Sequence, residues 1–202
     1  MNIQVDDFIK QLSSKSPVPG GGGASALIGA VGISLCSMVG NLTSGKKKYA
    51  GYQEDIKEII QRAEASTDRL IKLIEKDAEA FAPLSAAYGI PKDDPDRAEK
   101  LESALLTAST VPLEILTEIS GVLDIIEELA IKGTRIAISD VGVAASACRS
   151  ALESAALNVF INTKLMKNRE HAIQINKDTW RVLIDGIERC NHVYVKIADE
   201  LR

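Results

Sequence analysis

The sequence predicts an all-α protein, a bundle of long kinked helices around a buried Ala/Gly-rich central helix. Three observations carry that expectation. Aromatic residues are 4% of the chain, while Ala, Ile, Leu, Glu and Lys are plentiful, a usage that favours helices over sheets. Apolar positions recur at alternating steps of four and three over long stretches, and no convincing strand appears. Residues 24–43 carry no charge and are dense in Ala, Gly and Ser, so other backbone can approach that helix on most sides. With 202 residues and 46% hydrophobic content, residues 1–202 are expected to form one domain with a sizeable core.

The elements follow in order. A short helix over 3–13 carries Ile3, Phe8, Ile9 and Leu12 and ends at Ser16-Pro17, because a residue before proline avoids the helical region. The glycines 20–23 lead into the central helix, from about Gly22 to Thr43, and Gly45–Gly51 is a connector. A long helix follows over roughly 52–87. Its seam runs from Ile56 through Leu70, Ile74, Asp77 and Phe81 to Leu84, with Pro83 kinking its end. Gly89–Pro95 is the clearest break. The next helix spans about Pro95 to Ala130, bent at Pro112, loosened at Gly121 and ended by Lys132-Gly133. Ser139-Asp140 reads as an N-cap that opens a helix to about Lys167. The last helix, from about Glu170 to Leu201, has its seam at Ile173, Asn176, Trp180, Leu183, Ile187, Cys190, Tyr194, Ile197 and Leu201.

Composition narrows the function. A net charge of −4 without a basic tail argues against double-stranded nucleic acid, and the scarcity of aromatics argues against stacking on single strands. Cys36, Cys148 and Cys190 form no CxxC, and with His171 and His192 they give no zinc spacing; each cysteine reads as a small core hydrophobe. No secretory signal is evident, so the expected compartment is reducing cytoplasm. Residues 24–43 meet the length of a membrane span, yet Ser25, Ser34, Ser37, Gly29, Gly32, Gly40 and Asn41 make the stretch only moderately hydrophobic. Its amphipathic neighbours also need something to pack against, so no membrane partner is expected.

Several positions invite chemistry. Gly40–Lys46 fits GxxxxGK, but Lys47 stands where a P-loop needs Ser or Thr, and a helix precedes it rather than a strand. Gly20, Gly21 and Gly22 read either as a flexible helix entry or as a close backbone approach to a ligand, with free N–H groups at a helix start. Asp77 lies on an apolar seam beside Ile74 and Phe81. A carboxylate there is costly unless paired, hydrogen-bonded or protonated, so it reads as a structural ion pair, as part of a seam that reaches solvent, or as a proton-transfer group with a raised pKa. Asn158 and Asn162 sit one turn apart on a small-residue seam with Ala144, Cys148, Ala151 and Ala155, as interhelical crosslinks or ligand contacts. Asp140 is a cap by default, and Lys46–Lys48 a solvated run or an anion site.

Taken in order, Pro19-Gly-Gly-Gly with its small-residue helix, Lys46-Lys47-Lys48-Tyr49, Asp77-Ala-x-Ala-Phe81, Val111-Pro112-Leu113, Ser139-Asp140-Val141 and Asn158-Val159-x-x-Asn162 form a pattern. It resembles the cyclodeaminase domain of formiminotransferase-cyclodeaminase and its free-standing relatives, the methenyltetrahydrofolate cyclohydrolases, over nearly the whole chain. One departure is Gly133-Thr134 where relatives often carry Gly-Asn, which keeps a hydroxyl and loses an amide.

The resemblance implies an all-helical homodimer or larger assembly with a folate substrate, monoglutamate or polyglutamate, in a cleft. It implies Asp77 as catalytic acid/base. It implies substrate contacts from Gly20, Gly21 and Gly22, from Lys46 and Lys47 to the glutamate carboxylates, and from Ser139, Asp140, Asn158 and Asn162. The folate is substrate, and no permanently bound cofactor or metal is expected, since both reactions need only proton transfer at a carbon between nitrogens. The absence of a formiminotransferase domain leans the reading toward the hydrolase. The rival reading is a non-catalytic helical assembly or folate-binding protein.

Overall fold

The structure is a computed structural model that describes residues 4–202, and Ile3 lies outside them. Among the described residues seven α-helices are found: α1 (Val5–Leu12), α2 (Gly21–Thr43), α3 (Gln53–Tyr88), α4 (Arg97–Ser120), α5 (Leu123–Lys132), α6 (Ile138–Leu165) and α7 (Arg169–Leu201). Short 3₁₀ turns at Lys47–Tyr52 and Arg135–Ala137 link α2 to α3 and α5 to α6, and no strand occurs among the described residues. The chain is all-α, as the sequence predicts.

The central helix works through its small residues. α2 is flanked by α3 and α6, α4 lies against both of those, and α7 covers α6. Three glycines each admit a different neighbour. A Cβ on Gly29 would lie 2.8 Å from Cδ1 of Ile119 (α4), one on Gly40 2.6 Å from Cγ1 of Ile60 (α3), and one on Gly32 2.9 Å from Sγ of Cys148 (α6). α2 is also long and apolar enough to cross a membrane, yet 56% of that stretch is buried inside the bundle. Its burial is incomplete. Val31 is 54% exposed, and Met38 and Leu42 join it on an open uncharged stripe.

A main core joins Ile33, Ile56, Ile115, Ile126, Leu152 and their neighbours. A smaller cluster of Leu84, Ala87, Leu105, Ala108, Met166 and Ala172 ties the end of α3 to the start of α4 and the α6–α7 turn. That satellite core braces the end of the bundle where α2 begins.

α1 and α3 lie close to where the sequence places them, α1 burying Phe8 and α3 running through Pro83 to Tyr88. Three other expectations are corrected. The single helix expected over 95–130 is two helices, broken where Val122 leaves the helical region at φ −125°, ψ 11°. Gly121, a poor helix former, lets the chain turn so that Val122 and Leu123 both enter the core. Ser139 and Asp140 do not cap α6, which starts at Ile138 after Ala137, so both lie in its first turn. There Asp140 faces the positive end of the helix dipole.

The third correction concerns α7. Ile173, Trp180, Tyr194 and Leu201 are exposed, and the inward face is Ala172, Thr179, Leu183, Gly186, Cys190, Val193 and Ile197. Small residues win that contact line because Gly186 admits Leu152, whose Cδ1 would lie 2.6 Å from a Cβ there.

Gly32→Ala tests this packing. Its Cβ would meet Ala147 Cβ at 3.1 Å and the Ala144 carbonyl oxygen at 3.2 Å, neither of which can rotate away. Overpacking should outweigh the roughly 1 kcal/mol gained in helix propensity, for a net loss of about 1–2 kcal/mol in urea unfolding. Unchanged or increased stability would contradict the packing described.

Candidate active site

The site is built where α2 begins. Gly20 has no side chain to cap the helix, and no side-chain cap is made by it. The cap arrives from 54 residues away instead: Oδ2 of Asp77 in α3 accepts a hydrogen bond from the Gly23 N–H at 2.9 Å. The carboxylate lies so close to the backbone that a Cβ on Gly22 would fall within 2.5 Å of both its oxygens. Asn158 of α6 presses on the next residue back, with Oδ1 2.8 Å from where a Gly21 Cβ would stand. The groups that approach these glycines are the protein's own carboxylate and amide. The N–H groups of Gly21 and Gly22 find no acceptor among the described residues.

These groups surround a cavity of about 120 Å³. Its wall combines Pro17, Val18 and the glycines with Asp77 and Phe81 of α3, Ala108 and Pro112 of α4, and Asn158, Ile161 and Asn162 of α6. Burial raises the Asp77 pKa above its usual value, and the Gly23 N–H partly opposes that rise. No ion pair of Asp77 is found among the described residues, and its side chain is partly buried in the cavity wall.

Asn162 is held more tightly than sequence spacing suggests. Its Nδ2 donates to the Ala108 carbonyl at 2.9 Å and to the Asn158 carbonyl at 3.0 Å. Asn158 donates from Nδ2 to the Ser154 carbonyl at 2.8 Å.

The remaining expected site residues lie elsewhere in the chain. α2 rises about 30 Å between Gly22 and Thr43, and α6 about 28 Å between Ser139 and Asn158. Lys46, Lys47, Ser139 and Asp140 are thus at the opposite end of the bundle from Asp77. There Lys46 Nζ donates to Thr134 Oγ1 at 3.0 Å, the Thr134 N–H donates to Thr43 Oγ1 at 2.9 Å, and the Arg135 N–H donates to the Tyr49 hydroxyl at 3.1 Å. Thr134 is the residue that Lys46 grips. Lys47 is exposed. The near-P-loop Gly40–Lys46 is a helix end and turn, with Gly40 packed on Ile60.

The Lys46–Thr134 link and the part played by the Ala108 carbonyl were not singled out from the sequence. The available signals were a lysine and a threonine 88 positions apart, with no periodicity to join them, and a proline four residues after Ala108.

Known proteins place this arrangement in context. Residues 4–180 match the family model described as formiminotransferase-cyclodeaminase. The chain is 38% identical to the methenyltetrahydrofolate cyclohydrolase of Methylorubrum extorquens, an alignment covering 99% of this chain and 98% of that protein. It is 34% identical to the formimidoyltransferase-cyclodeaminase of Mus musculus over 82% of this chain, which is 31% of that longer protein. The crystal structure of formiminotetrahydrofolate cyclodeaminase from Thermotoga maritima superimposes with a TM-score of 0.84 at 26% identity, covering 98% of both chains.

The contact between Gly22 and Asp77 has a measurable consequence. In the Gly22→Ala variant the new methyl must push the carboxylate out of the cavity. Carbon-13 NMR titration should find the Asp77 pKa above the ordinary value of about 3.9 in the wild type and near it in the variant. Equal values in the two proteins would refute the close approach.

Proposed function

The chain belongs to the formiminotransferase-cyclodeaminase family, and from that premise we infer a tetrahydrofolate one-carbon enzyme that works by acid/base catalysis through Asp77. The observation that carries this reading is the difference among the glycines of α2. Gly29, Gly32 and Gly40 admit the sulfur and hydrocarbon of neighbouring helices, as a purely structural helix would need. Gly21 and Gly22 admit an amide and a carboxylate at the edge of a cavity. The second arrangement caps α2 and also places a carboxylate and an amide in a cavity wall, which helix packing alone does not require.

The reaction proposed first is hydrolysis of 5,10-methenyltetrahydrofolate to 10-formyltetrahydrofolate. The near-complete alignment with the M. extorquens cyclohydrolase supports it. In this reading the ionised Asp77 faces the cationic carbon between N5 and N10. Water attacks that carbon and Asp77 takes its proton, leaving a neutral tetrahedral carbinolamine. The carboxyl then returns the proton to N5, the C–N5 bond breaks with its electron pair going to nitrogen, and the hydroxyl proton leaves as the formyl carbonyl forms. The free oxygen of Asn162 is suited to accept from the attacking water.

A second reading, the cyclodeaminase, is supported by the likeness to the T. maritima enzyme. There N10 attacks the formimino carbon, and Asp77 protonates the departing ammonia. Neither course asks for a resident cofactor, because every step is a proton transfer or an addition–elimination at one carbon.

We also propose that residues 1–202 act as one cytoplasmic domain, and that the working unit is a homodimer. A cavity of about 120 Å³ is small beside the roughly 300–1,000 Å³ of ligand pockets. It admits the reacting centre, and the rest of a folate must lie across its rim. Beside that rim runs an uncharged face of Val31, Met38 and Leu42 from α2 with Val143, Leu157 and Ile161 from α6, all at least 38% exposed. A two-fold axis in the plane of this face, crossing α2 at right angles, would lay the partner's Lys46 and Lys47 end beside the Asp77 cavity. That arrangement would supply cations for the glutamate tail, monoglutamate or polyglutamate, and leaves Ser139 and Asp140 near the same junction.

Asp77→Asn should lower turnover of methenyl- or formiminotetrahydrofolate by roughly 10²–10⁴-fold. Its stability should move the other way. The folded-state pKa lies above the unfolded one, so ionising Asp77 costs stability as pH rises through that interval, fully so above it. The amide removes that cost, and melting at neutral pH should be unchanged or raised. The wild-type kcat/KM should fall as pH drops through the raised Asp77 pKa. Turnover in Asp77→Asn equal to wild type would reject the assignment.

Sedimentation should show a dimer for wild type and a monomer for Val31→Glu, with turnover lost alongside the dimer. A Val31→Glu protein that remains dimeric would contradict the proposed face.

A further inference from the structure

We propose that Pro112 is a positioning residue: by withholding a backbone hydrogen bond, it leaves the Ala108 carbonyl to fix the Asn162 amide with its oxygen directed into the Asp77 cavity. The inference deepens the proposed acid/base site and rests on that reading.

The argument begins inside α4. A helical residue returns its N–H to the carbonyl four residues back, and proline has no N–H to return. Pro112 lies within α4, so the Ala108 carbonyl loses that partner. Ala108 is buried, 5% exposed, and a buried carbonyl without a donor is costly. The donor it receives is Nδ2 of Asn162, from a different helix, at 2.9 Å.

The second Nδ2 hydrogen goes to the Asn158 carbonyl. Both partners are carbonyl oxygens, so the amide has one tolerable orientation. Turning it over would set its oxygen against two other oxygens. Oδ1 is left as the free acceptor, and Ala108, Pro112 and Asn162 all line the cavity that holds Asp77.

Pro83 supplies an internal contrast. It too lies inside a helix and deprives a carbonyl four residues back, that of Glu79. Glu79 is exposed, so water can satisfy that oxygen, and no side chain among the described residues is recruited to it. The same backbone chemistry orders an amide at one proline and nothing at the other.

Pro112→Ala restores the N–H, lets α4 reclaim the Ala108 carbonyl, and competes directly with Asn162. The test is a double-mutant cycle with Asn162→Ala, with Pro83→Ala as control, read as kcat and KM on methenyltetrahydrofolate. Circular dichroism checks that each variant is folded. Pro112→Ala should lower kcat on the order of ten- to a hundredfold with little change in KM. It should have no further effect in the Asn162→Ala background, and Pro83→Ala should match wild type. A Pro112→Ala enzyme as fast as wild type, or one slowed equally with and without Asn162, would overturn the proposal.

Nitrogen-15 NMR of the Asn162 side-chain amide gives a reading that needs no turnover. Its resonances should shift in Pro112→Ala and stay in place in Pro83→Ala. Unmoved resonances in Pro112→Ala would refute the coupling. A wild-type protein inert on folates would instead reject the proposed function while this measurement still judged the coupling.

Discussion

The hydrogen bond from the Gly23 N–H to Asp77 joins the architecture to the chemistry. α2 begins on glycines that offer no side chain to the N–H groups of its own first turn, and a carboxylate from α3 takes that place. A helix start favours negative charge, which holds Asp77 in position and pulls its pKa down. Burial in the α2–α3–α4 junction pulls the pKa up more strongly. The group that finishes the central helix is therefore also one whose proton is held more tightly than an ordinary carboxylate's. The helix cap and the raised pKa meet in one contact, and the glycines are what allow the oxygens to come so near.

The small residues of α2 divide along its length accordingly. In the middle they bring α4 and α6 to van der Waals distance and fix the spacing of the bundle. At the first turn they admit polar groups, so the same compositional bias gives a scaffold and a site. The satellite core below that turn, with Leu84, Leu105, Ala108 and Met166, braces α3, α4 and the end of α6 around the cavity. The far end is organised by a different device. Lys46, Thr134, Thr43, Tyr49 and Arg135 are linked through hydrogen bonds that tie the α2–α3 turn to the α5–α6 turn.

Much of this was legible in the sequence because helical periodicity reports which face a residue occupies. Asp77 falls on a heptad seam between Ile74 and Phe81, and Asn158 and Asn162 are one turn apart, so their inward placement follows from spacing. What spacing cannot report is position along a helix axis relative to other helices. Lys46 and Asp140 were grouped with Asp77 through resemblance alone, and in one chain they stand about 30 Å from it. Periodicity also ranks large apolar residues as inward, which fails for α7, where Gly186 and Cys190 pack and Trp180 and Tyr194 remain outside. The break at Gly121-Val122 and the recruitment of Asn162 by the Ala108 carbonyl depend on backbone hydrogen bonding. Side-chain patterning records that only through the glycine and the proline.

The central claim is that one-carbon chemistry takes place between Asp77 and Asn162 at the start of α2. A crystal structure of the Asp77→Asn variant with 5,10-methenyltetrahydrofolate tests it most directly. The bridging carbon is expected within about 4 Å of the residue-77 side chain, facing Asn162 and the Gly21–Gly23 backbone. A folate whose bridging carbon lies instead in the larger groove between α3 and α4, lined by Arg69, Lys76, Leu113 and Glu114, would contradict the claim.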